Sequence, residues 1–454
     1  MYGFLYKKSV FCLLASDFCY VIIQNEEYKM RRNTIMKLFI YYFLCTLVLM
    51  SGCGKKEPEE IGEKTVLTYW RHFYQTEDRA VKELIRKFEN KHPDIEINYQ
   101  SMPYQGFRKK LYTSLQAGKG PDIMNIHNSW VYPFVRGGVV KEIPAEILPV
   151  EKIRERFIPL IDSFAVAGSY YGLPIGGGCL ALFINTDHLK EAGLQSDTHP
   201  ETWEELEEMA LKLTKKEGTR ILRTGFACGG TKSQSWNYLV EGLFRQNGSR
   251  IINEGHTRVL WDSAEGIEAF RWYLSFVTKH GIFSLDFEKP VNVFMEGSAS
   301  MIVDLNVIVQ KLKEQGPDIH YSIYPLPGKK RKATYGSCWG NCVTKTCTPR
   351  KTDAAFAFVA FLASETSARF WTDRVGELPL YTSVLNDESF RSSHKKLLPF
   401  IVSMEHAYSS LKKDESAYKH AIVEAIEKVI QKNITPEQAL KQAALKVNAM
   451  LGEG

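Results

Sequence analysis

Between Thr65 and Ile126 the chain switches back and forth between two hydrophobic periods, and that alternation restricts the fold more than any other feature. Thr65-Val-Leu-Thr-Tyr-Trp70 is rich in β-formers. Val81, Leu84, Ile85 and Phe88 then recur at i, i+3, i+4 and i+7, the stripe of an amphipathic helix that Pro93 stops. Ile95 to Tyr99 alternates as a second strand, and Phe107, Leu111, Tyr112 and Leu115 mark a second helix closed by Gly118 and Gly120. Pro121-Asp-Ile-Met-Asn-Ile126 reads as a third strand. Strands alternating with helices of this length make βαβ units and a largely parallel sheet, an α/β fold. Ligands of such sheets sit beyond the carboxyl ends of the strands. Here those ends carry Trp70, His72 and Tyr74 after the first strand, and His127, Asn128 and Trp130 after the third.

The stretch Tyr170 to Leu189 breaks the usual punctuation, because Gly176-Gly-Gly178 interrupts an apolar run that continues as Leu180 to Ile184. Glycine inside a strand marks a bulge, a bend or a close backbone approach. No Lys-Ser/Thr follows and the segment enters a strand, which argues against a phosphate cradle. The expected role is a crossover between two lobes, with backbone freedom from Gly176 and Gly177 and an open cleft floor at Gly178. Tyr335 to Val343, interrupted by Gly336 and Gly340, is the second candidate crossover. Between them, Thr202-Trp-Glu-Glu205 reads as a capping box. Trp236, Trp261 and a helix over Ile267–Val277 continue a second α/β region, and Met301 to Val303 reads as a buried strand with Asp304 and Asn306 at its end. Ala354 to Phe370 reads as one apolar helix, and Thr435-Pro-Glu-Gln438 opens the last helix.

At 454 residues the chain exceeds one ordinary core, and 44% hydrophobic with 24% charged residues describes a folded protein. The net charge of +6 is spread among acids, without the basic block of a nucleic-acid binder. Leu38 to Met50 is an apolar run behind Lys29, Arg31, Arg32 and Lys37, too short for the roughly 20 residues that span a bilayer. Its charged and apolar regions make an export signal, ending Leu49-Met-Ser-Gly-Cys53. That ending resembles a bacterial lipobox, which implies a lipoprotein signal over 1–52, a lipidated Cys53 and a tether over 53–64. Residues 1–29 fit no part of such a signal, so Met30 or Met36 is the expected start. The five cysteines beyond the signal are odd in number with no CxxC, which argues against a disulfide framework or a zinc site.

Collinear segments carry a family resemblance: Phe88 to Ile97, Gln116 to Ile123, Tyr171-Gly-Leu-Pro174, Phe183 to Asp187, Ala192-Gly-Leu194, Thr202 to Leu206, Phe294 to Met301, Ala354 to Trp371 with Glu377-Leu-Pro379, and Thr435 to Leu451. In this order they resemble the family 1 extracellular solute-binding proteins of ABC importers, which include maltodextrin-binding proteins. The resemblance implies a two-lobe periplasmic-binding-protein fold (class II-like), each lobe a mixed sheet flanked by helices and joined by hinge crossovers. Lobe 1 is then 64–177 plus 337–380, and lobe 2 is 178–336 plus 381–454. It implies a monomeric, lipid-anchored extracytoplasmic receptor that closes around a small polar solute, most readily a sugar, and hands it to permease subunits, without cofactor or metal.

A sugar offers apolar ring faces and many hydroxyls, so its site needs aromatic platforms beside carboxylates, amides or imidazoles. The candidates are Trp70, Tyr74, Trp130, Trp236 and Trp339 as platforms, with His127, Asn128, Asp304 and Asn306 as polar partners. Each has an ordinary structural role to set against it, in the core, a loop or a cap. Gly178 stands where relatives carry a ligand-binding acid, which departs from the maltodextrin mode. No HExxH, GxSxG, Walker loop or GxGxxG is present, so no catalytic residues are expected. A surface-tethered carbohydrate-active enzyme and a ligand-sensing partner of a membrane signalling protein are the alternatives.

Overall fold

The computed structural model describes residues 64–229, 235–284, 289–431 and 434–452. The signal region, Cys53 and its tether lie outside the described residues. Among the described residues are twelve strands: β1 (Thr65–His72), β2 (Ile95–Met102), β3 (Ile123–His127), β4 (Ala165–Val166), β5 (Ser169–Tyr170), β6 (Leu173–Asn185), β7 (Lys215–Glu217), β8 (Arg220–Ala227), β9 (Ala299–Leu305), β10 (Tyr321–Tyr324), β11 (Thr334–Val343) and β12 (Ala407–Tyr408). The order β2-β1-β3-β11-β6-β9-β8-β7 runs through one sheet, with β10 added beside β6 and β12 beside β11.

The βαβ alternation holds. Strands β1, β2 and β3 pair in parallel, linked by helices Gln75–Glu89 and Tyr104–Gln116. The first of these buries Val81, Leu84, Ile85 and Phe88, with acids in its first turn and Arg86 and Lys87 in its last, as the helix dipole favours. Phe88 meets Phe358 edge to face at 4.9 Å, on helix Pro349–Leu362. Phe88→Ala would cost about 3–5 kcal/mol.

The sheet is more mixed than the expected largely parallel one. Strand β11 runs antiparallel to β3 and to β6, and β6 runs antiparallel to β9. The reason is β6 itself. Its first half, Leu173–Cys179, pairs with β11, and its second half pairs with β9 and β10 from Leu180 onward. One strand thereby serves two groups of partners, changing over between Cys179 and Leu180. Strand β11 does likewise, lying beside β3 from Trp339 to Val343 and beside β12 at Thr334 and Tyr335.

One reading needs correction. Residues 354–370 are split between helices Pro349–Leu362 and Glu365–Val375, because the Ser364 side chain caps the second by accepting from the Ser367 N–H. The capping glycine Gly376, at φ 83°, ends it. The glycines of β6 fall where a break in pairing was expected: the strand is continuous and buried throughout, but its register against β11 shifts by one residue between Gly176 and Pro174, leaving Ile175 as the extra residue of a bulge. None of Gly176, Gly177, Gly178 or Gly336 is among the positive-φ glycines, so what they provide is a missing Cβ, not an unusual backbone. The Thr202–Glu205 capping box is formed, and so is its counterpart between Thr435 and Gln438.

Candidate functional site

An aromatic wall stands where the carboxyl ends of β1, β2 and β3 meet β11. Trp339 is its hub. Its ring lies 3.8 Å from His72, 5.2 Å from His127, 5.2 Å from Trp130 in a T-shaped contact, and 6.2 Å from Tyr104. Tyr74 adds an edge contact to His72 at 5.0 Å. Trp130 is buried behind the hub, Trp339 is half-buried, and Tyr74 and Tyr104 are exposed at 49% and 40%. The wall therefore grades from packed core to open ring faces, the profile a stacking platform requires. Arg108 lies over the Trp130 ring at 5.7 Å.

Beside the hub lies a floor of glycines. Trp339 pairs with Gly176 and Ser337 with Gly178. A Cβ on Gly176 would meet the Trp371 ring at 2.6 Å, and one on Gly178 would fall 1.6 Å from Asn306 Oδ1. The floor is thus covered, which overturns the open floor expected at Gly178: the Asn306 carboxamide fills that space. Its Nδ2 donates to the Gly376 carbonyl at 2.7 Å, whereas its Oδ1 is buried without a partner.

Charge is buried beneath this floor. Arg71 pairs with Glu77, whose carboxylate also lies 3.3 Å from His72 Nε2. The Arg71 guanidinium sits 4.9 Å from the Trp371 ring centroid. Trp371 Nε1 donates to Glu377 at 2.8 Å, and burial, reinforced by the Glu77 charge, pushes Glu377 up to about 7. Burial likewise lowers His72.

A polar chain crosses the site. His127 Nδ1 lies 2.7 Å from Ser129 Oγ, Ser129 Oγ donates to Glu415 at 2.6 Å, and His127 Nε2 lies 2.9 Å from Ser337 Oγ. Burial lowers His127 to about 4, so its ring is neutral at pH 7. Burial alone would raise Glu415, but His127, Lys412, the Ser129 hydroxyl and Arg108 outweigh it and hold the carboxyl below its ordinary range.

The structure brings together Tyr74, His127, Trp130 and Trp339, with Asn128 buried beside them, its Oδ1 3.5 Å from the Cys338 N–H. Asn306 and Gly178 meet at the floor. Asp304 is only half-buried as a residue, yet its carboxyl lies deep enough for burial to push it up to about 6. Its Oδ1 accepts the Leu305 N–H, a local turn bond. Trp70 stands apart from the wall, its ring under Lys110 at 5.5 Å, because β1 runs on to His72 and leaves Trp70 short of the strand end. Trp236 falls in helix Ser235–Gln246, and its side chain lies outside the described residues. Gly336 is packed against Leu160, 2.5 Å from where its Cβ would be. Sequence reasoning missed Tyr104, Ser129, Ser337, Glu377 and Glu415. Tyr104 alone had a signal, since it follows Pro103 at the end of β2, where a strand-end ligand contact belongs. Among the described residues no cluster of His, Cys, Asp and Glu could hold a metal, and no helix is long and apolar enough to cross a membrane.

Known proteins share this fold. The chain is 28% identical over 262 residues to a Brucella abortus protein described only as a binding protein, covering 56% of this chain and 62% of that one. The match thus spans less than two thirds of that relative. It is 22% identical over 388 residues to the maltotriose-binding protein of Pyrococcus abyssi, covering 80% and 81% of the two chains. The cyclic α-maltosyl-1,6-maltose binding protein of Arthrobacter globiformis superimposes with a TM-score of 0.76 at 20% identity, over 86% of this chain and all of that one. The fold is accordingly the two-lobe α/β fold of that protein, with β6 and β11 running through the middle of its sheet. Residues 74–369 match the bacterial extracellular solute-binding proteins, and the chain belongs to that family.

Proposed function

We propose that this protein is a lipid-anchored extracytoplasmic receptor that captures a sugar or oligosaccharide between its lobes and delivers it to an ABC transporter permease. The observation that carries the reading is the graded aromatic wall around Trp339, flanked by imidazoles and hydroxyls at the strand ends. Rings of this kind cover the apolar face of a pyranose, while hydroxyls held beside them exchange hydrogen bonds with its own. The relatives named for maltotriose and for a cyclic maltosyl sugar support the same solute class.

The lobes are taken as 64–177 plus 337–380 and 178–336 plus 381–454, with the strand exchange at Cys179 and Leu180 as the support for placing a crossover there. Solute touching both lobes shifts an open–closed equilibrium by its preference for the closed state. Cys53 is the acylated anchor, and the receptor works as a monomer beside its permease.

Thermal-shift and calorimetric screens against oligosaccharides, polyols, amino acids and polyamines test the reading. Stabilisation by at least one oligosaccharide is expected, and silence across the sugar arm would sink it. Trp339→Ala should then weaken that sugar by about 1–3 kcal/mol, as loss of an aromatic anchor does. Unchanged affinity would remove Trp339 from the site. Bound glycan recovered intact after incubation is the expected result, and cleavage would favour an enzyme. Metabolic fatty-acid labelling that disappears in Cys53→Ser tests the anchor.

A further inference from the structure

The chain Ser337–His127–Ser129–Glu415 has a direction, and the direction follows from proton counting. Glu415 is held ionised and only accepts, so the 2.6 Å contact with Ser129 Oγ uses the serine's single proton. Ser129 Oγ is then left with lone pairs alone, so the 2.7 Å contact to His127 Nδ1 requires a proton on Nδ1. The ring is neutral and has one proton, so Nε2 is bare and accepts the Ser337 hydroxyl at 2.9 Å. One observation pulls the other way: the backbone N–H of Ser129 lies 3.3 Å from Nδ1 and would favour an unprotonated nitrogen there. That contact is the longer and weaker of the two, and adopting it would leave the hydroxyl lone pairs facing a bare ring nitrogen at 2.7 Å. The charged or titratable groups facing the ring are Glu415, Lys412, His72 and Arg108, and none of them is hydrogen-bonded to either ring nitrogen.

We propose that this chain fixes His127 in its Nδ1–H tautomer and thereby makes Ser337 a solute contact that only accepts hydrogen bonds. Ser337 is half-buried on the same face of β11 as Trp339, opposite Gly178, at the place where a sugar stacked on the wall would project its hydroxyls. With its proton committed to Nε2, it has only lone pairs to offer. A hydroxyl donor on the solute is satisfied there, and an ether or a deoxyfluoro substituent is not. Ser129 and Glu415 are positioning residues, since they act through the imidazole. Glu415 opens helix Glu415–Ile430 and Ser129 follows β3, so the acceptor character of Ser337 depends on two elements remote in sequence staying in register. The solute part rests on the sugar-binding reading, whereas the tautomer is a property of the protein alone.

The test needs no solute. Long-range nitrogen–proton NMR of the imidazole-labelled protein at pH 7, with His127 assigned by its loss in His127→Asn, should show a protonated Nδ1 and a bare Nε2. The Nε2–H tautomer, the commoner one in water, would overturn the proposal. Ser129→Ala removes the acceptor at Nδ1 and should return the ring to Nε2–H. Ser337→Ala should keep Nδ1–H but move the Nε2 resonance downfield, because a donated hydrogen bond is lost. An unmoved Nε2 in that variant would overturn the role given to Ser337, even with the tautomer as expected. Circular dichroism and melting curves confirm that each variant is folded before its spectrum is read.

Discussion

The two halves of β6 are equally buried and filled in opposite ways. From Leu180 to Ile184 each residue fills its own space, as in Phe183 against Phe400 at 5.8 Å. From Gly176 to Gly178 the residues bring no side chain, and the space is taken by Trp371, Cys338 and Asn306 reaching in from elsewhere. The first arrangement is ordinary core, in which burial stabilises in proportion to area. The second trades that self-sufficiency for the convergence of distant groups on one floor, beside Trp339 and above the Glu377 carboxyl. On the proposed reading, one strand serves as scaffold in one half and as site in the other. Substitutions in the scaffold half should alter stability alone, and those in the glycine half should alter solute binding and pH response as well.

The largest effect belongs to the scaffold half. Leu182 is fully buried, and Leu182→Ala should cost about 2–5 kcal/mol in a denaturant titration. Affinity of the folded fraction for its sugar should stay unchanged. An affinity loss of comparable size would erase the contrast between the halves.

Next in size is a pH effect confined to the glycine half. Glu377 titrates near 4.5 when unfolded and about 7 when folded, raised first by burial and then by Glu77. The folded state thus holds a proton that the unfolded chain has already released, and stability falls as pH rises between those values. Glu377→Gln keeps an acceptor for Trp371 Nε1 and removes the ionisation. Its melting temperature should match the parent near pH 4 and exceed it at pH 8, by the equivalent of up to about 3 kcal/mol. Parallel pH profiles for the two proteins would show that Glu377 ionises without cost.

Much of the scaffold was legible in the sequence because it is written in local periods. The stripe Val81–Leu84–Ile85–Phe88 and the capping box at Thr202 need no knowledge of the rest of the chain. The glycines were legible as a close approach, but not who approaches, since Trp371 and Asn306 arrive from other elements and leave no mark near residue 176. Trp130 was legible as a ring at a strand end, and Trp339 as a ring in the second glycine-interrupted stretch. Trp70 misled because the polar pair Arg71–His72 looks like the end of a strand, whereas both are buried in β1, with Glu77 beside them. The hydrogen-bond chain was illegible for the same reason as the floor: Ser129 and Glu415 are 286 residues apart, and neither carries a local pattern.

The smallest effect tests how the floor is covered. Gly178→Ala is compatible with the strand backbone, but its Cβ would fall on Asn306 Oδ1, the movable end of a side chain. Asn306 must swing aside and give up its 2.7 Å bond to the Gly376 carbonyl, a loss of about 1–2 kcal/mol. Asn306→Ala should cost a similar amount, because it deletes the same bond. In the double variant the new methyl group meets no carboxamide, so the combined loss should be little more than that of Asn306→Ala alone. The cycle should depart from additivity by about 1 kcal/mol, as expected for residues in contact. Solute affinity should fall in both single variants, since both move the one uncommitted acceptor of the carboxamide away from the floor. Additive stabilities with affinity intact would mean that Asn306 merely rests against the glycine, and that the floor owes nothing to it.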